Sequence, residues 1–358
     1  MIAETTVAAP RRRLRLARFG PLVALVVLLA LPYCNLTIPG VFETAINKPG
    51  TLQLLALCLV FGSLATGYDL LFGRTGMLSF GHALYFAAGV YGTDILVTKA
   101  GYPLWEAALL AVLGTAVLAL ALGAIALRTN GIAFAMVTLA FAQVGAITIG
   151  RNPGDVTGGE EGLSMDTAGV PDFLVGVSNT VNLYWLAVLV AVVTVAVVHS
   201  IAAAPAGRVL SAIRDDDRRV GVLGLDPYGY RLFAFTVAGA LAGLAGVMYA
   251  LLIGGAIPHV AASDQTLTLL VMVVLGGPGT RWGPLIGGML FTYLDHRLVA
   301  FGHSEAVDSL PSVLGGPLSQ PLFVLGTLFI LAVYFFPGGL AGLRARLGPL
   351  SRVLPSRR

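Results

Sequence analysis

Charge is scarce in this chain of 358 residues, with Asp, Glu, Lys and Arg together making up 11%. Soluble globular domains carry roughly 25%. Beside 57% hydrophobic residues and a mean hydropathy of +0.86, that scarcity excludes a soluble domain and points to an integral membrane protein. Lysine is almost absent. A phosphate-cradling Walker A loop needs Gly-x-x-x-x-Gly-Lys followed by Ser or Thr. Lys48 precedes Pro49 and Lys99 precedes Ala100, so the chain holds no ATP by that device. Cysteine is nearly missing too. Cys34 and Cys58 supply neither a disulfide framework nor metal-ligand spacing, and read as small apolar packing residues. The net charge of +4 is gathered at the termini and in one loop, which makes it a topology signal rather than a nucleic-acid footprint. No cofactor and no nucleic-acid partner are expected.

What is abundant is long apolar sequence. The first run, from Phe19 to about Ile38, follows Arg11, Arg12, Arg13, Arg15 and Arg18. It is too long for a signal peptide and no Ala-x-Ala site follows it, so it reads as an uncleaved first transmembrane helix. Further runs lie at about 52–72, 77–98, 104–127, 131–150, 182–202, 232–254, 265–277, 283–301 and 319–336. Most approach the roughly 20 residues a helix needs to cross the hydrocarbon core. The 265–277 run is short and ends in glycines, as a re-entrant or broken helix would. The 45 glycines suit helices that pack closely in lipid. The fold class expected is an all-α integral membrane protein, polytopic, with about ten transmembrane helices including one short or broken. A basic tail at 1–18, a membrane domain at 19–340 and a basic tail at 341–358 follow as boundaries.

Arginine asymmetry orients the set. In a ten-span arrangement the N-terminal tail, Arg74, Arg128, the 207–231 loop, Arg281 and the C-terminal arginines fall on one side. The opposite 151–181 loop carries Asp155, Glu160, Glu161, Asp166 and Asp172. Both termini are therefore expected in the cytoplasm of a cell whose cytoplasmic membrane holds the chain.

The stretch Gly207–Arg231, within a loop at 203–231, has nine charged residues, Asp215–Asp217 among them in a row. At the bilayer centre each would cost about 2.5–3.5 kcal/mol on insertion scales, so the loop lies in water. Val209, Leu210, Ile213, Val220 and Leu223 recur at helical intervals, which predicts a short amphipathic helix over 208–223, ended by Gly224 and Asp226-Pro227. Such a helix suits docking into a partner's groove. A solvated loop that only joins two helices would carry much the same pattern.

Two glycine-rich breaks echo one another. Leu71-Phe72-Gly73-Arg74-Thr75-Gly76 with Gly81 resembles Leu275-Gly276-Gly277-Pro278-Gly279 with Gly283. Duplicated transporters place broken helices at matching points of their halves, and plain interhelical turns would look alike. At the first break Ser79, Gly81 and His82 offer freed backbone, a hydroxyl and an imidazole for a polar path; a histidine at a helix end also serves packing or capping. Gln143, Gly276 and Gly279 complete the candidate path, although for Gln143 an interhelical hydrogen bond is the stronger claim. Asp94, Thr138 and His199 lie inside spans, and Asp94 is expected to snorkel to the outer surface. Asp295-His296-Arg297 reads as interfacial.

These residues carry a resemblance. Gly67–Tyr91, Thr129–Gly145, Thr157–Leu163, Gly207–Tyr249, Leu269–Gly287 and Phe336–Gly342 resemble, in order, the permease subunits of branched-chain amino acid ABC importers, on the LivM-like side. The resemblance implies a coupling element that receives an ATPase subunit's motion, carried here by Arg208, Arg214, Gly224 and Leu225, with Arg218 on the same loop. It also implies partners: two ATP-binding subunits, a homologous permease subunit, an extracytoplasmic binding protein and membrane lipid. The activity implied is import of branched-chain or related amino acids, urea or short amides. No bond chemistry is expected in the chain itself. An ion- or proton-coupled secondary transporter is the competing class, and it needs titratable groups buried in the spans. A membrane scaffold without transport would show no polar breaks in its helices.

Overall fold

A computed structural model of the chain describes residues 25–35, 45–302, 320–335 and 338–346. The basic tail at 1–18 and residues 347–358 lie outside that set. Two compact units form, Met1–Leu52 and Gln53–Arg358. In the first, residues 25–30 are helical and pass into a 3₁₀ turn, Leu31–Tyr33. Within the described residues the helical stretch expected to reach Ile38 stops at Tyr33: Cys34 is already extended, beyond the turn that holds Pro32.

The second unit is helical almost throughout. In chain order the helices are α1 Pro49–Asp69, α2 His82–Thr98, α3 Leu104–Ala126, α4 Ile132–Arg151 and α5 Thr180–Ala203. They continue with α6 Pro205–Asp215, α7 Asp217–Val222, α8 Pro227–Ile253, α9 Ser263–Gly276, α10 Gly283–Gly302, α11 Pro321–Phe335 and α12 Gly339–Arg346. Five helical stretches among the described residues are long and apolar enough to cross a membrane: 49–74, 104–126, 132–151, 177–203 and 227–253. The expected run at 77–98 is helical only from His82, and the short run at 265–277 is a helix of 14 residues. The protein is a polytopic all-α membrane protein.

The core is built from small residues. α2 and α8 run parallel, with α3 antiparallel to both, and their backbones meet at glycine. A Cβ on Gly89 would overlap Gly243, and one on Gly246 would lie 2.8 Å from the Val90 nitrogen. On the other side of α8, a Cβ on Gly243 would stand 2.8 Å from the Thr115 Cβ. In lipid no hydrophobic force pulls helices together, so such close approach supplies the van der Waals contact that does. Aromatic rings fill the wider gaps. Phe86 packs edge-on to Tyr249 with centroids 5.3 Å apart, and Tyr85 to Phe235 at 5.6 Å. A second seam joins α1 to α10 through Gly62 and Gly288, and α9 to α10 through Gly276 and Gly287.

Burial divides the long helices into two classes. The apolar window of α1 is 83% buried, whereas those of α3 and α4 are 22% buried. α3 and α4 present Leu109, Leu113, Val117, Met136 and Val144 outward, as lipid-facing or subunit-facing helices do. The close packing predicts a sharp contrast between glycines. Gly246→Val should destabilise the chain by about 3 kcal/mol, the upper end of overpacking costs. Gly114→Ala, whose Cβ enters open space, should be near neutral. Thermal melting of the tagged chain in mild detergent, followed by size-exclusion chromatography, checks both.

Candidate functional site

The charged loop is two helices rather than one. α6 ends at Asp215 and α7 begins at Asp217, because Asp216 turns extended (φ −162°, ψ 104°). Its carboxylate accepts the backbone N–H groups of Arg218 and Arg219, the arrangement of an N-cap. Asp216 is thus a helix start as well as a charge. Leu210, Ile213 and Val220 turn inward and are buried, as the expected stripe requires. Leu223 does not join them: it is 78% exposed, and Val222 is 88% exposed. Gly224 closes the element at φ +80°, a conformation that favours glycine, and Asp226 then caps α8 through the Tyr228 and Gly229 N–H groups. Of the residues singled out for coupling, Arg208, Arg214, Arg218, Gly224 and Leu225 are all at the surface. An ion pair of 3.1 Å between Arg231 and Asp217 ties α7 to the first turns of α8.

Arg214 is the residue that reaches inward. Its guanidinium Nη1 donates to the carbonyl of Gly73, 141 residues away in sequence. Gly73 lies in a π-turn, Leu70–Arg74, that continues α1. Such wide turns loosen the backbone ladder and are frequent at functional sites. From Gly76 to Gly81 the chain is non-helical.

The two glycine breaks that echo in sequence meet here. The Gly279 N–H donates to Asp69 Oδ1 at 2.7 Å, and a Cβ on Gly73 would overlap both that amide and that carboxylate. A Cβ on Gly279 would stand 2.9 Å from the Gly73 oxygen and 3.4 Å from Arg214 Nη1. A third piece closes the junction: a Cβ on Gly277 would lie 2.7 Å from the Gly338 oxygen, at the start of α12. Four segments distant in sequence therefore converge on one backbone cluster, with one arginine from the surface helix among them. Asp69 was not marked by spacing or motif. Its signal was present nonetheless: an acid inside an apolar run, five residues before Arg74.

The candidate path residues divide. Ser79 and His82 are fully buried. The Ser79 carbonyl accepts the Tyr68 hydroxyl at 2.9 Å, and Phe80 N–H donates to Thr138 Oγ1 at 3.1 Å. A Cβ on Gly81 would lie 2.6 Å from the Thr138 oxygen, so glycine is required there by close approach. His82 lies between the Tyr68 and Tyr85 rings, at 5.1 and 6.1 Å, and neither ring nitrogen has a partner. Gly276 and Gly279 belong to the junction. Gln143 stands apart on the exposed face of α4, its amide donating to Ser263 Oγ, which is the interhelical bond rather than a place beside Ser79 and His82.

At the other end of α2, Asp94 does not snorkel. It is fully buried, its Oδ1 accepting from Thr98 Oγ1 at 3.0 Å. Thr98 Oγ1 in turn accepts the Asp166 N–H at 3.0 Å. The reason is the 151–181 loop, which folds back over this end: its strand β1 (Leu163–Ser164) pairs antiparallel with β2 (Gly255–Ala256) after α8. The turns expected in that loop are present, with Gly158, Gly159 and Gly162 all at positive φ. In Asp295-His296-Arg297 only the histidine is exposed, the flanking pair being half-buried on α10.

Known proteins are similar to this chain in sequence. The profile of the family described as branched-chain amino acid transport system / permease component matches residues 50–333, from α1 to near the end of α11. The chain is similar to the high-affinity branched-chain amino acid transport system permease protein LivM of Escherichia coli (strain K12). The two are 26% identical over 317 residues, covering 81% of this chain and 70% of that protein. It is also similar to a probable branched-chain amino acid transport permease protein LivM of Methanocaldococcus jannaschii, 27% identical over 319 residues, 84% of this chain and 83% of that one. A shorter likeness, 34% identical over 99 residues and 26% of this chain, joins it to the autoinducer 2 import system permease protein LsrC of Yersinia enterocolitica. No solved structure matches. With the match spanning α1 and both glycine breaks, the chain belongs to the branched-chain amino acid transport system / permease component family.

Proposed function

We propose that the chain is a permease subunit of an ATP-driven importer of branched-chain or related amino acids. It works in the cytoplasmic membrane with both termini and the α6–α7 element inside. Two separate ATP-binding subunits energise it, a homologous permease completes the path, and a binding protein delivers substrate at the 151–181 loop. The observation that carries the reading is the double character of α6–α7. It presents exposed apolar side chains, Val222 and Leu223, and through Arg214 it grips the backbone of the π-turn below α1. A partner that moves α7 therefore moves the glycine junction. ATP acts only if its subunits bind two conformations of the permease unequally, since equal binding shifts nothing.

Three buried titratable side chains, Asp69, His82 and Asp94, favour a second reading: an ion- or proton-coupled transporter that works alone. Against it, Asp69 and Asp94 are each held by a hydrogen bond at opposite ends of the bundle. Purification of the tagged chain from native membranes, followed by uptake of labelled leucine, isoleucine and valine into proteoliposomes, separates the two. Co-purified ATPase and permease subunits with ATP-dependent uptake support the importer. A homo-oligomer driven by an ion gradient alone overturns it.

A further inference from the structure

A cavity of about 390 Å³ opens beside the junction, between the 75–80 segment, the α3–α4 turn and the coupling helices. Its polar wall is cationic. Arg214 and Arg231 both line it, with Thr129 and Asn130, and no carboxylate is among the lining residues. Arg231 is not fully spent on its neighbours: Nη2 meets Asp217 at 3.1 Å and Nη1 meets Asn130 at 3.3 Å, while Nε is buried without a partner. α4 starts at the same wall behind Gly131, with no side chain capping it. The first amides of a 20-residue helix are thus added to the two guanidiniums.

The opposite wall is apolar and runs outward. Ile132 and Met136 line the cavity and are 82% and 59% exposed. The same face of α4 continues through Val144 and Ile147, both exposed, with Gln143 beside them turned to Ser263. At 1.5 Å per residue, 132–147 extends about 22 Å, more than the ~15 Å depth of one leaflet's hydrocarbon. A free phosphate has no use for that strip, whereas an acyl chain lies along it.

We propose that this cavity holds the phosphate of an anionic phospholipid, with Arg214 and Arg231 on the headgroup and the α4 strip along an acyl chain. Basic pockets between membrane helices are suited to such headgroups. The lipid would occupy the space between α4 and the element that receives the ATPase, so bilayer composition would set how firmly α6 and α8 are held. The site requires only the geometry of the cavity, and stands or falls apart from the import reading.

The test uses the chain purified with whatever subunits accompany it, in mild detergent. Thermal midpoints are followed on titration with phosphatidylglycerol, phosphatidylcholine or inorganic phosphate. Phosphatidylglycerol alone should raise the midpoint. Asn130→Asp, which sets a carboxylate against Arg231, should weaken the apparent affinity for phosphatidylglycerol about tenfold, a change of about 1.4 kcal/mol. Thr129→Glu serves as the second variant if the first does not accumulate. Equal stabilisation by phosphatidylcholine overturns the proposal, as does an unchanged titration in the variant. Protection by inorganic phosphate alone overturns the lipid assignment in favour of a free-anion site.

Discussion

Replacing Val222 and Leu223 together by aspartate is expected to abolish ATP-dependent uptake while leaving the chain folded in the membrane. These two side chains are 88% and 78% exposed, so they add little to the packing of the chain itself. Surface substitutions of that kind usually change stability by less than about 0.5 kcal/mol. Against a partner the balance is different. Burying a Val or Leu side chain is worth about 1.5–3 kcal/mol. Two of them together, with a charge placed in the same groove, remove at least about 3 kcal/mol of association, more than a hundredfold in affinity. Arg218 and Arg219 beside them are exposed, and Arg219 is already paired with Asp216 at 2.8 Å, so on the proposed reading the apolar tip rather than the charge would provide the main attraction. Recovery of the ATPase subunit with the tagged double variant is the measurement. Full recovery would show that this tip is not where the partner sits.

Much of the helical plan is legible without coordinates, because a membrane imposes it. Runs near 20 apolar residues have few alternatives in lipid, and the helices found at 104–126, 132–151 and 180–203 lie within a few residues of the expected runs. Ends are less legible. The 77–98 run reads as one span, yet Met77–Gly81 is non-helical after the π-turn that ends the helix before it. The charged loop shows the same limit from the other side. Its apolar stripe is correctly inward at Leu210, Ile213 and Val220, and fails at Leu223, which already lies past the end of α7 at Val222. Periodicity reports a continuous helix, and one capping side chain suffices to break it.

The junction was legible only in pieces. The two glycine runs stand out in sequence, but nothing in their spacing says that Gly73 and Gly279 touch, since that contact closes a loop of more than 200 residues. Asp69 and Asp94 illustrate why. A carboxylate in an apolar run can reach for water or be satisfied inside, and the choice depends on the fold around it: a Gly279 amide reaches one, and the other bonds Thr98 one turn on, under the 151–181 loop. Asp94 looked peripheral because it is near a helix end, and the fold covers that end with the β1–β2 ladder.

Arg214→Glu is expected to separate ATP hydrolysis from transport. The substitution leaves the tip at Val222 and Leu223 in place, so the ATPase subunits should still co-purify and still hydrolyse ATP. What it removes is the hydrogen bond to the Gly73 carbonyl, and it sets a new carboxylate near Asp69 across the same turn. A hydrogen bond from a charged donor contributes about 1.5–3 kcal/mol. Coupling free energies between distant sites are typically 1–3 kcal/mol, so losing this one contact is comparable with the whole coupling. Substrate imported per ATP hydrolysed should fall at least about fivefold on the smallest of those figures, with added loss from repulsion. Arg214→Lys keeps the charge but gives up the planar fork, and should restore part of the ratio. The two variants also distinguish docking from transmission. A tip variant loses the partner, whereas Arg214→Glu keeps the partner and wastes its ATP. An unchanged ratio in Arg214→Glu would make Arg214 an ordinary surface arginine and move the transmission path to the Arg231–Asp217 pair between α7 and α8.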